Sequence, residues 1–347
     1  MCRQAYLLCQ GQWQDPEQKT WLAKKKQTRP LHGEKDLKDI IIRKRSSQGK
    51  PFSISSEPEF LPAWWLPEAH SQTLWNAQIW RTPSVDLLEE THKLPDLDFL
   101  EWFWLKETVE APQEVPTILI LHGLEGCTCS NYVQDLIYQL GPLGWRVIVM
   151  QYRNCGDRPN HLAQSYDAMR WQELDWTVRI LQERFPETPI GVVGFSIGGS
   201  ILLNWLGQNE ARSIKAACAI SLPYKLSPCA DRLNQGFSEI YQQYLMSRLK
   251  HSAVRKWDLL KEALGLFDLS QIDGLKTLWE FDDLLTAPLH GFKNVHDYYE
   301  KASCRQYLTK IQVPTYWSTP WMILSWFLRL FHNLLNYQIR FKWLSFP

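Results

Sequence analysis

No long apolar run follows the charged residues at the N-terminus, so a secretory signal is not expected. The eight cysteines show neither C-x-x-C spacing nor the Cys/His spacing of a zinc site, and the closest pair is Cys127 and Cys129. In a chain of 347 residues this pattern predicts free thiols in a reducing compartment. The sequence therefore predicts a cytoplasmic protein without metal ligands, and a net charge of +1 gives no reason to expect a nucleic-acid partner.

Residues 1–50 lack the apolar periodicity of a folded segment. They carry twelve Lys and Arg against five Asp and Glu, with basic runs at 24–26 and 43–45. This composition predicts a basic, disordered extension. Contact with nucleic acid or an anionic membrane is the alternative, because basic runs alone specify no partner. The folded domain is expected at residues 51–315.

Apolar segments alternate with helical patterns in this domain. Continuous apolar runs, typical of strands buried on both faces of a parallel sheet, lie at 117–121, 145–150, 190–193 and 216–221. Helical patterns lie between them at 131–140, 170–185 and 197–206. The alternation predicts an α/β fold with a doubly wound, mostly parallel sheet, to which residues 101–105 add an antiparallel edge strand. Residues 225–300, helical and without an obvious strand, predict a cap over the carboxyl edge of the sheet.

A G-x-S-x-G pattern surrounds Ser196 at residues 194–198. It follows a strand-like segment and precedes a helical one, which is the context of a nucleophile elbow. The turn is strained, and side chains at its two glycines would collide with the neighbouring strand and helix. We therefore predict Ser196 as a catalytic nucleophile.

Serine catalysis also needs donors for the negative oxygen that develops on the substrate. The H-G-L turn at His122-Gly123-Leu124 directly follows the strand at 117–121. In such folds a backbone N–H from this turn and the N–H after the nucleophile form the oxyanion hole. We assign the hole to the N–H groups of Leu124 and Ile197, and we expect His122 to orient the turn rather than to act as the base.

Residues 60–315 resemble the YheT-like branch of the α/β-hydrolase superfamily, which is related to the abhydrolase-domain lipid hydrolases of animals. The motifs that carry the resemblance lie at 60–62 with 70–74, 122–126, 152–156, 194–199, 236–245, 280–283, 290–292 and 297–299. The resemblance implies an α/β-hydrolase fold with a helical cap. It further implies a cofactor-free serine esterase that acts on acyl esters, lipid esters included.

Two departures from the family pattern are internal. This chain has Tyr166-Asp167-Ala168-Met169 where the family usually has Tyr-His-x-Gly, and Asp96-Leu97-Asp98 where it has Asp-Gly-Asp. We expect both departures to alter loops rather than chemistry.

The third departure concerns the rest of the catalytic triad. After the strand that opens at residue 311, the family places its acid in an Asp-Asp-Pro-Phe-like segment and its base in a His-Gly-Gly-His-like segment. Here no Asp or Glu follows Glu300, and His332 is the only later histidine. The acid and histidine therefore remain unknown; Asp231 is a weak alternative acid because it matches a position at the start of the cap.

Residues 316–347 are accordingly expected to be a non-family tail, which would leave the sheet truncated at its C-terminal edge. A shifted reading frame or an early stop explains this tail, and a genuine tail is the alternative. Residues 321–337 place polar and apolar side chains on opposite helical faces, which favours peripheral membrane contact. Arg329 and His332 interrupt the apolar run, so a membrane-spanning helix is not expected.

The sequence thus predicts a serine hydrolase of small-molecule or lipid carboxylic esters, impaired by the absence of its acid and histidine. The alternative is a non-catalytic hydrolase-fold protein, used for binding or produced by a frameshift. Whether an Asp/His pair reaches Ser196 separates the two. The acyl chain, the head group and the oligomeric state are left open.

Overall fold

The computed structural model describes residues 84–209 and 214–318, which belong to the second of two units, Trp75–Pro347. In these residues one sheet contains seven strands: β1 (Leu87–Lys93), β2 (Phe99–Leu105), β3 (Thr117–Leu121), β4 (Arg146–Gln151), β5 (Ile190–Phe195), β6 (Ile214–Ile220) and β7 (Thr315–Ser318). Their order is β1-β2-β4-β3-β5-β6-β7. Strands β1, β2 and β4 pair antiparallel, and all other pairs are parallel. The predictions for 1–50 and 321–337 fall outside the described residues.

Ten helices accompany the sheet in the described residues. They are α1 (Asn131–Leu140), α2 (Gln172–Arg184), α3 (Ile197–Gln208), α4 (Leu226–Leu233), α5 (Ser238–Val254), α6 (Trp257–Leu264), α7 (Ser270–Asp273), α8 (Leu278–Phe281), α9 (Ala287–Leu289) and α10 (Val295–Ala302). A π-helical turn at Asp282–Thr286 joins α8 to α9, and 3₁₀ turns occupy Lys106–Thr108, Gly141–Leu143 and Cys304–Lys310. Residues 226–302 contain seven of these helices and no strand, and we call this region the cap.

The central strands are buried on both faces, as their continuous apolar runs predict. In β3, Leu119 and Leu121 pack with α2 and α3, whereas Ile118 and Ile120 pack with α1. This period of two places one apolar set on each side of the sheet. The sheet is therefore doubly wound, and its helical layers leave the carboxyl ends of the parallel strands free to carry the site.

The antiparallel side of the sheet differs from the prediction. Strand β2 was predicted as the edge, but it lies between β1 and β4 and is largely buried. The outer strand is β1, whose sequence Leu-Leu-Glu-Glu-Thr-His-Lys gives no apolar run. Charged side chains are common on edge strands because they discourage pairing with other chains. Here they leave β1 without the apolar pattern by which a strand is predicted from sequence.

Leu97, in the turn between β1 and β2, occupies the position where the family pattern has glycine. Its φ is 70°, in the left-handed region that glycine adopts without strain. Its side chain is exposed, so the departure alters a loop, as expected.

The prediction of free thiols is wrong for one pair, because Cys127 and Cys129 form a disulfide with their Cα atoms 5.2 Å apart. The chain folds back before α1: the Ser130 N–H donates to the Cys127 carbonyl at 3.1 Å, and the Cys127 N–H donates to Ser130 Oγ at 3.1 Å. This tight loop brings the two cysteines together, which a spacing of two residues does not reveal by itself. The other cysteines of the described residues, Cys155, Cys218, Cys229 and Cys304, are free.

The first turn of α3 lies directly against the end of β3, and glycine makes this approach possible. A Cβ on Gly198 would lie 2.6 Å from the His122 carbonyl oxygen and 2.7 Å from that of Leu121. Both obstacles are backbone atoms at the end of β3 and just beyond it, so neither can rotate away. Gly198, two residues after Ser196, is thus required for α3 to pack against β3.

We predict that Gly198→Ala lowers the free energy of unfolding by about 3 kcal/mol, since overpacking at rigid backbone is costly. Urea denaturation measures the change. Gly141→Ala is the control: Gly141 has helical φ, and its added Cβ would meet only a Leu105 methyl at 3.3 Å, so it should change stability by less than about 1 kcal/mol. Equal losses in the two variants would contradict the packing argument.

Candidate active site

Ser196 stands between β5 and α3 in a backbone conformation that is unusual for a side-chain-bearing residue. Its φ is 51° and its ψ is −119°. The Ser196 N–H donates to the Ile220 carbonyl at the end of β6 at 2.8 Å, and its carbonyl accepts from the Gly199 N–H at 2.9 Å. A Cβ on Gly194 would lie 2.5 Å from the Gly198 oxygen. The strand–turn–helix geometry is that of a nucleophile elbow, with the serine partly exposed.

The register of the sheet brings the turn after β3 beside this serine. Leu121 pairs with Gly194 in the parallel ladder, so Gly123 and Ser196 each lie two residues beyond the paired position. A Cβ on Gly123 would be 3.3 Å from the Cβ of Ser196. The two segments that the sequence proposes for nucleophile and oxyanion donor are therefore neighbours.

Most N–H groups of the turn already have acceptors. The Gly123 N–H donates to Tyr132 Oη at 2.8 Å, the Glu125 N–H to Tyr166 Oη at 2.6 Å, and the Gly126 N–H to the Gly123 carbonyl at 2.9 Å. Within the described residues the Leu124 N–H has no acceptor. Among the N–H groups of residues 123–126, the Leu124 N–H is therefore the donor that remains open for a ligand.

Ile197 is the first residue of α3, and its N–H is one of the donors that a helix start leaves without an intrahelical partner. Ile197 packs against the sheet core and against the cap cluster around Tyr298, while Leu124 packs against the same core and against the cap cluster around Leu249. Both proposed donors thus lie where the sheet meets the cap.

His122 is buried with both ring nitrogens occupied. The Tyr152 N–H donates to Nε2 at 3.2 Å, so Nδ1 carries the proton, and Nδ1 donates to the Gly123 carbonyl at 2.8 Å. Burial lowers the pKa of His122 to about 4. A neutral imidazole with no free lone pair cannot accept the Ser196 proton, so its geometry fits the orienting role that the sequence indicates.

Within residues 84–209 and 214–318 the Ser196 hydroxyl makes no hydrogen bond to a base or to any other side chain. The other histidines of these ranges have different neighbours. His92 pairs with Glu90, His161 packs on Phe99, and His296 packs on Trp279. His251 is exposed on α5.

One buried histidine does have a carboxylate partner. His290 Nδ1 lies 3.2 Å from Asp167 Oδ2 and 3.5 Å from an Arg170 nitrogen. The pair lines a cavity of about 580 Å³ with Arg153 and Glu173, and Ser196 is not among the residues that line it. Burial, reinforced by nearby cations, lowers the pKa of His290 to about 3, and burial raises the pKa of Asp167 to about 6. The pair exists because this chain has Asp167 where the family usually has histidine. The sequence alone did not predict that His290 would lie beside it.

Three acidic residues of the cap make structural contacts. Asp231 accepts from Trp279 Nε1 at 2.9 Å, Asp282 accepts from the Tyr299 hydroxyl at 2.7 Å, and Asp283 accepts from the Val295 N–H at 2.9 Å. None of the three contacts Ser196 or a histidine through these bonds.

Sequence reasoning missed the tyrosines that hold the oxyanion turn. Tyr132 lies nine residues after the Gly123 amide that it accepts from, and Tyr166 lies 41 residues after Glu125. Neither spacing matches a local motif. One signal could have pointed to Tyr166: it is the tyrosine of the segment in which this chain has Tyr166-Asp167-Ala168-Met169 in place of the family's Tyr-His-x-Gly.

Neither metal binding nor membrane crossing has a candidate in the part of the chain that the structure describes. No group of three or more His, Cys, Asp and Glu side chains is placed to hold a metal ion. No helix combines the length and the apolarity needed to cross a bilayer.

We predict that His122 makes stability depend on pH. Its pKa falls from 6.5 in the unfolded chain to about 4 in the folded one, so the unfolded chain binds more protons between these values. Stability is therefore fully present above pH 6.5 and is lost as pH falls towards 4, by about 2 kcal/mol between pH 7.5 and 5. His290 acts in the same direction and Asp167 in the opposite one.

Urea denaturation of wild type and His122→Gln at both pH values isolates this contribution. The variant should be less stable at pH 7.5, because it loses two buried hydrogen bonds, and should lose about 2 kcal/mol less on acidification. Identical pH dependence in the two proteins would show that His122 is not buried in its neutral form.

The chain is similar in sequence to a family profile and to several named proteins over most of the described domain. The profile of the alpha/beta hydrolase fold family matches residues 116–324. The YheT protein of Escherichia coli (strain K12), whose esterase name is provisional, is 34% identical over 267 residues, covering 76% of this chain and 77% of that protein. Phospholipase ABHD3 of Mus musculus is 26% identical over 74% of this chain and 63% of its own length. The monoacylglycerol lipase of Saccharomyces cerevisiae is 28% identical over 57% of this chain and 46% of its own length.

The chain thus spans less than two thirds of the latter two relatives. Among solved structures, the Pyrococcus furiosus esterase Pf2001 is similar with a TM-score of 0.41 and 16% identity, covering 73% of this chain and 92% of that one. The predicted fold class and family are confirmed by the sheet, the family profile and the YheT match. The chain belongs to the α/β-hydrolase superfamily, and within it to the YheT-like branch.

Proposed function

We propose that this protein is a carboxylic ester hydrolase whose nucleophile is Ser196 and whose oxyanion hole consists of the Leu124 and Ile197 N–H groups. The observation that carries the proposal is the elbow itself: Ser196 at φ 51°, beside Gly123, with the Leu124 N–H without an acceptor in the described residues. A strained serine at the carboxyl end of a parallel strand is a costly arrangement that folding alone does not require.

The reaction follows from this geometry. The Ser196 oxygen attacks the ester carbonyl carbon, its proton passes to a base, and the carbonyl oxygen takes up negative charge. Two backbone N–H groups stabilise that oxygen. The base gives this proton to the leaving oxygen as the ester bond breaks, so the alcohol departs and an acyl-serine forms. Water, deprotonated by the same base, then attacks the acyl-serine, and the base returns the proton to the serine oxygen as the acid leaves.

Acyl esters, of small molecules or of lipids, are the proposed substrates. The names of the relatives, an esterase, a phospholipase and a monoacylglycerol lipase, support this class. The Leu124 and Ile197 side chains and the apolar cap clusters beside them offer contacts for an acyl chain.

We further propose that turnover by this chain of 347 residues is low. Both nitrogens of His122 are occupied, and the His290–Asp167 pair lines a cavity that does not include Ser196. Without a base the serine hydroxyl stays protonated, and only the oxyanion hole and substrate binding assist the reaction. The rival function is a non-catalytic hydrolase fold that binds a ligand, which the same lack of a base favours.

Imidazole in solution can supply the missing base and so separate the two functions. We predict that p-nitrophenyl butyrate hydrolysis by wild type exceeds that by Ser196→Ala by less than about twofold in plain buffer. With added imidazole, the Ser196-dependent part should rise at least about tenfold, since general bases contribute on the order of 10²–10⁴.

Ser196→Ala measured at the same imidazole concentration is the matched control, because imidazole itself cleaves activated esters. A Ser196-dependent rate that stays at zero with imidazole would favour the non-catalytic fold. Strong Ser196-dependent turnover without imidazole would show that the chain contains a base, and His290, His296 and His332 would be substituted next.

A further inference from the structure

Glu125, in the turn between Gly123 and Gly126, holds a conformation that costs free energy. It is not glycine, yet its φ is 52°, and it is only 8% exposed. A left-handed backbone costs a side-chain-bearing residue about 1–2 kcal/mol, so surrounding contacts must enforce it.

Every polar group of Glu125 has a partner. Tyr166 Oη accepts its N–H at 2.6 Å and donates to its Oε1 at 3.0 Å. The Ser252 hydroxyl donates to Oε2, and the Arg248 guanidinium donates twice to the Glu125 carbonyl, at 2.8 and 3.1 Å. Glu125 is thus bound completely, by one loop residue and two cap residues.

The cap partners stand on one helix. Arg248 and Ser252 are four residues apart on α5, so they lie one turn apart on the same face. Leu124, the neighbour of Glu125, packs against the cap cluster that includes Leu249. Helix α5 therefore contacts the turn at three places: the Glu125 carbonyl, the Glu125 carboxylate and the Leu124 side chain.

The same turn carries the proposed oxyanion donor. The bond from the Gly126 N–H to the Gly123 carbonyl, 2.9 Å long, closes a β-turn whose two central residues are Leu124 and Glu125. A positive φ at the second central residue belongs to particular turn types and is usually left to glycine or asparagine. The conformation of Glu125 and the direction of the Leu124 N–H are consequently parts of one turn geometry.

We propose that Glu125 is a positioning residue through which helix α5 of the cap fixes the oxyanion turn beside Ser196. Its carboxylate and carbonyl tie the turn to Ser252 and Arg248, so that a cap seated on the sheet holds the Leu124 N–H in place. This role rests on the proposed function of Ser196, but the mechanical tie between turn and cap can be measured independently.

Glu125→Gly tests the tie, because glycine accepts the left-handed φ while the carboxylate bonds to Ser252 and Tyr166 are lost. Amide hydrogen exchange should become at least about tenfold faster both in residues 123–126 and in residues 248–252. The imidazole-rescued, Ser196-dependent kcat should fall at least about tenfold with little change in KM, since an oxyanion donor acts in the transition state.

Leu97→Gly is the matched control, since Leu97 is another left-handed, non-glycine residue, and it is exposed in the β1–β2 turn with its N–H bonded to the Leu94 carbonyl. It should leave both exchange and kcat unchanged. Glu125→Gln keeps one acceptor oxygen for the Tyr166 hydroxyl and can donate its amide N–H to the Ser252 oxygen, so it should recover most of the lost kcat. If Glu125→Gly does not fold, Ser252→Ala combined with Arg248→Met removes the hydrogen bonds from the cap and should give the same two effects.

Wild-type exchange in both segments of Glu125→Gly, or of the substitute double variant, would overturn the inference. Faster exchange in the turn with an unchanged α5 would also overturn it, because the cap would then not be linked to the turn. Absence of Ser196-dependent turnover in wild type would instead refute the proposed function, and the exchange measurement would still decide the tie.

Discussion

The parallel pairing of β3 with β5, which sets Leu121 opposite Gly194, is the constraint on which the candidate site depends. It places the two chain segments that leave these strands side by side at the carboxyl edge of the sheet. The chain passes from β3 to β4 on one side and then crosses to β5 on the other, so this edge is a topological switch point. Helix α3 can start beside β3 only because Gly198 brings no side chain against the His122 and Leu121 carbonyls.

The groups at this edge that would act on a substrate are mostly backbone, and buried polar side chains shape that backbone. His122, Tyr132 and Tyr166 each bond to a backbone atom of the oxyanion turn. Each would cost free energy if left unpaired, so together they restrict the turn to a single arrangement. Buried polar contacts also fix the loop after β4, where the Arg153 guanidinium forms ion pairs with the carboxylates of Asp96, Asp98 and Glu173. Such a charge is tolerated inside a protein only with several partners.

The sequence predicts the parts of this structure that depend on local chemistry. Buried parallel strands require continuous apolar runs, and the predicted range 117–121 agrees with β3 residue for residue. The elbow requires glycines on both sides of Ser196, so it can be recognised in the sequence as a G-x-S-x-G motif. By contrast, β1 is exposed and charged, and the Cys127–Cys129 disulfide depends on a tight loop. The contacts of Glu125 with Arg248 and Ser252 join residues more than 120 positions apart. These features depend on tertiary proximity, for which a single sequence has no local signature.

The His290–Asp167 pair shows why proximity of a histidine and a carboxylate is insufficient to complete a triad. The nitrogen and oxygen are 3.2 Å apart and both side chains are buried, as in a catalytic dyad. The pair lines a cavity that does not include Ser196, and burial with Arg170 alongside lowers the pKa of His290 to about 3. The Asp167 carboxylate lies beside the ring as a triad acid would, but the adjacent Arg170 guanidinium opposes a positive charge on it. The nucleophile and the oxyanion turn, by contrast, depend on β3, β5 and their loops alone. They can therefore persist in a folded domain whether or not a base reaches them.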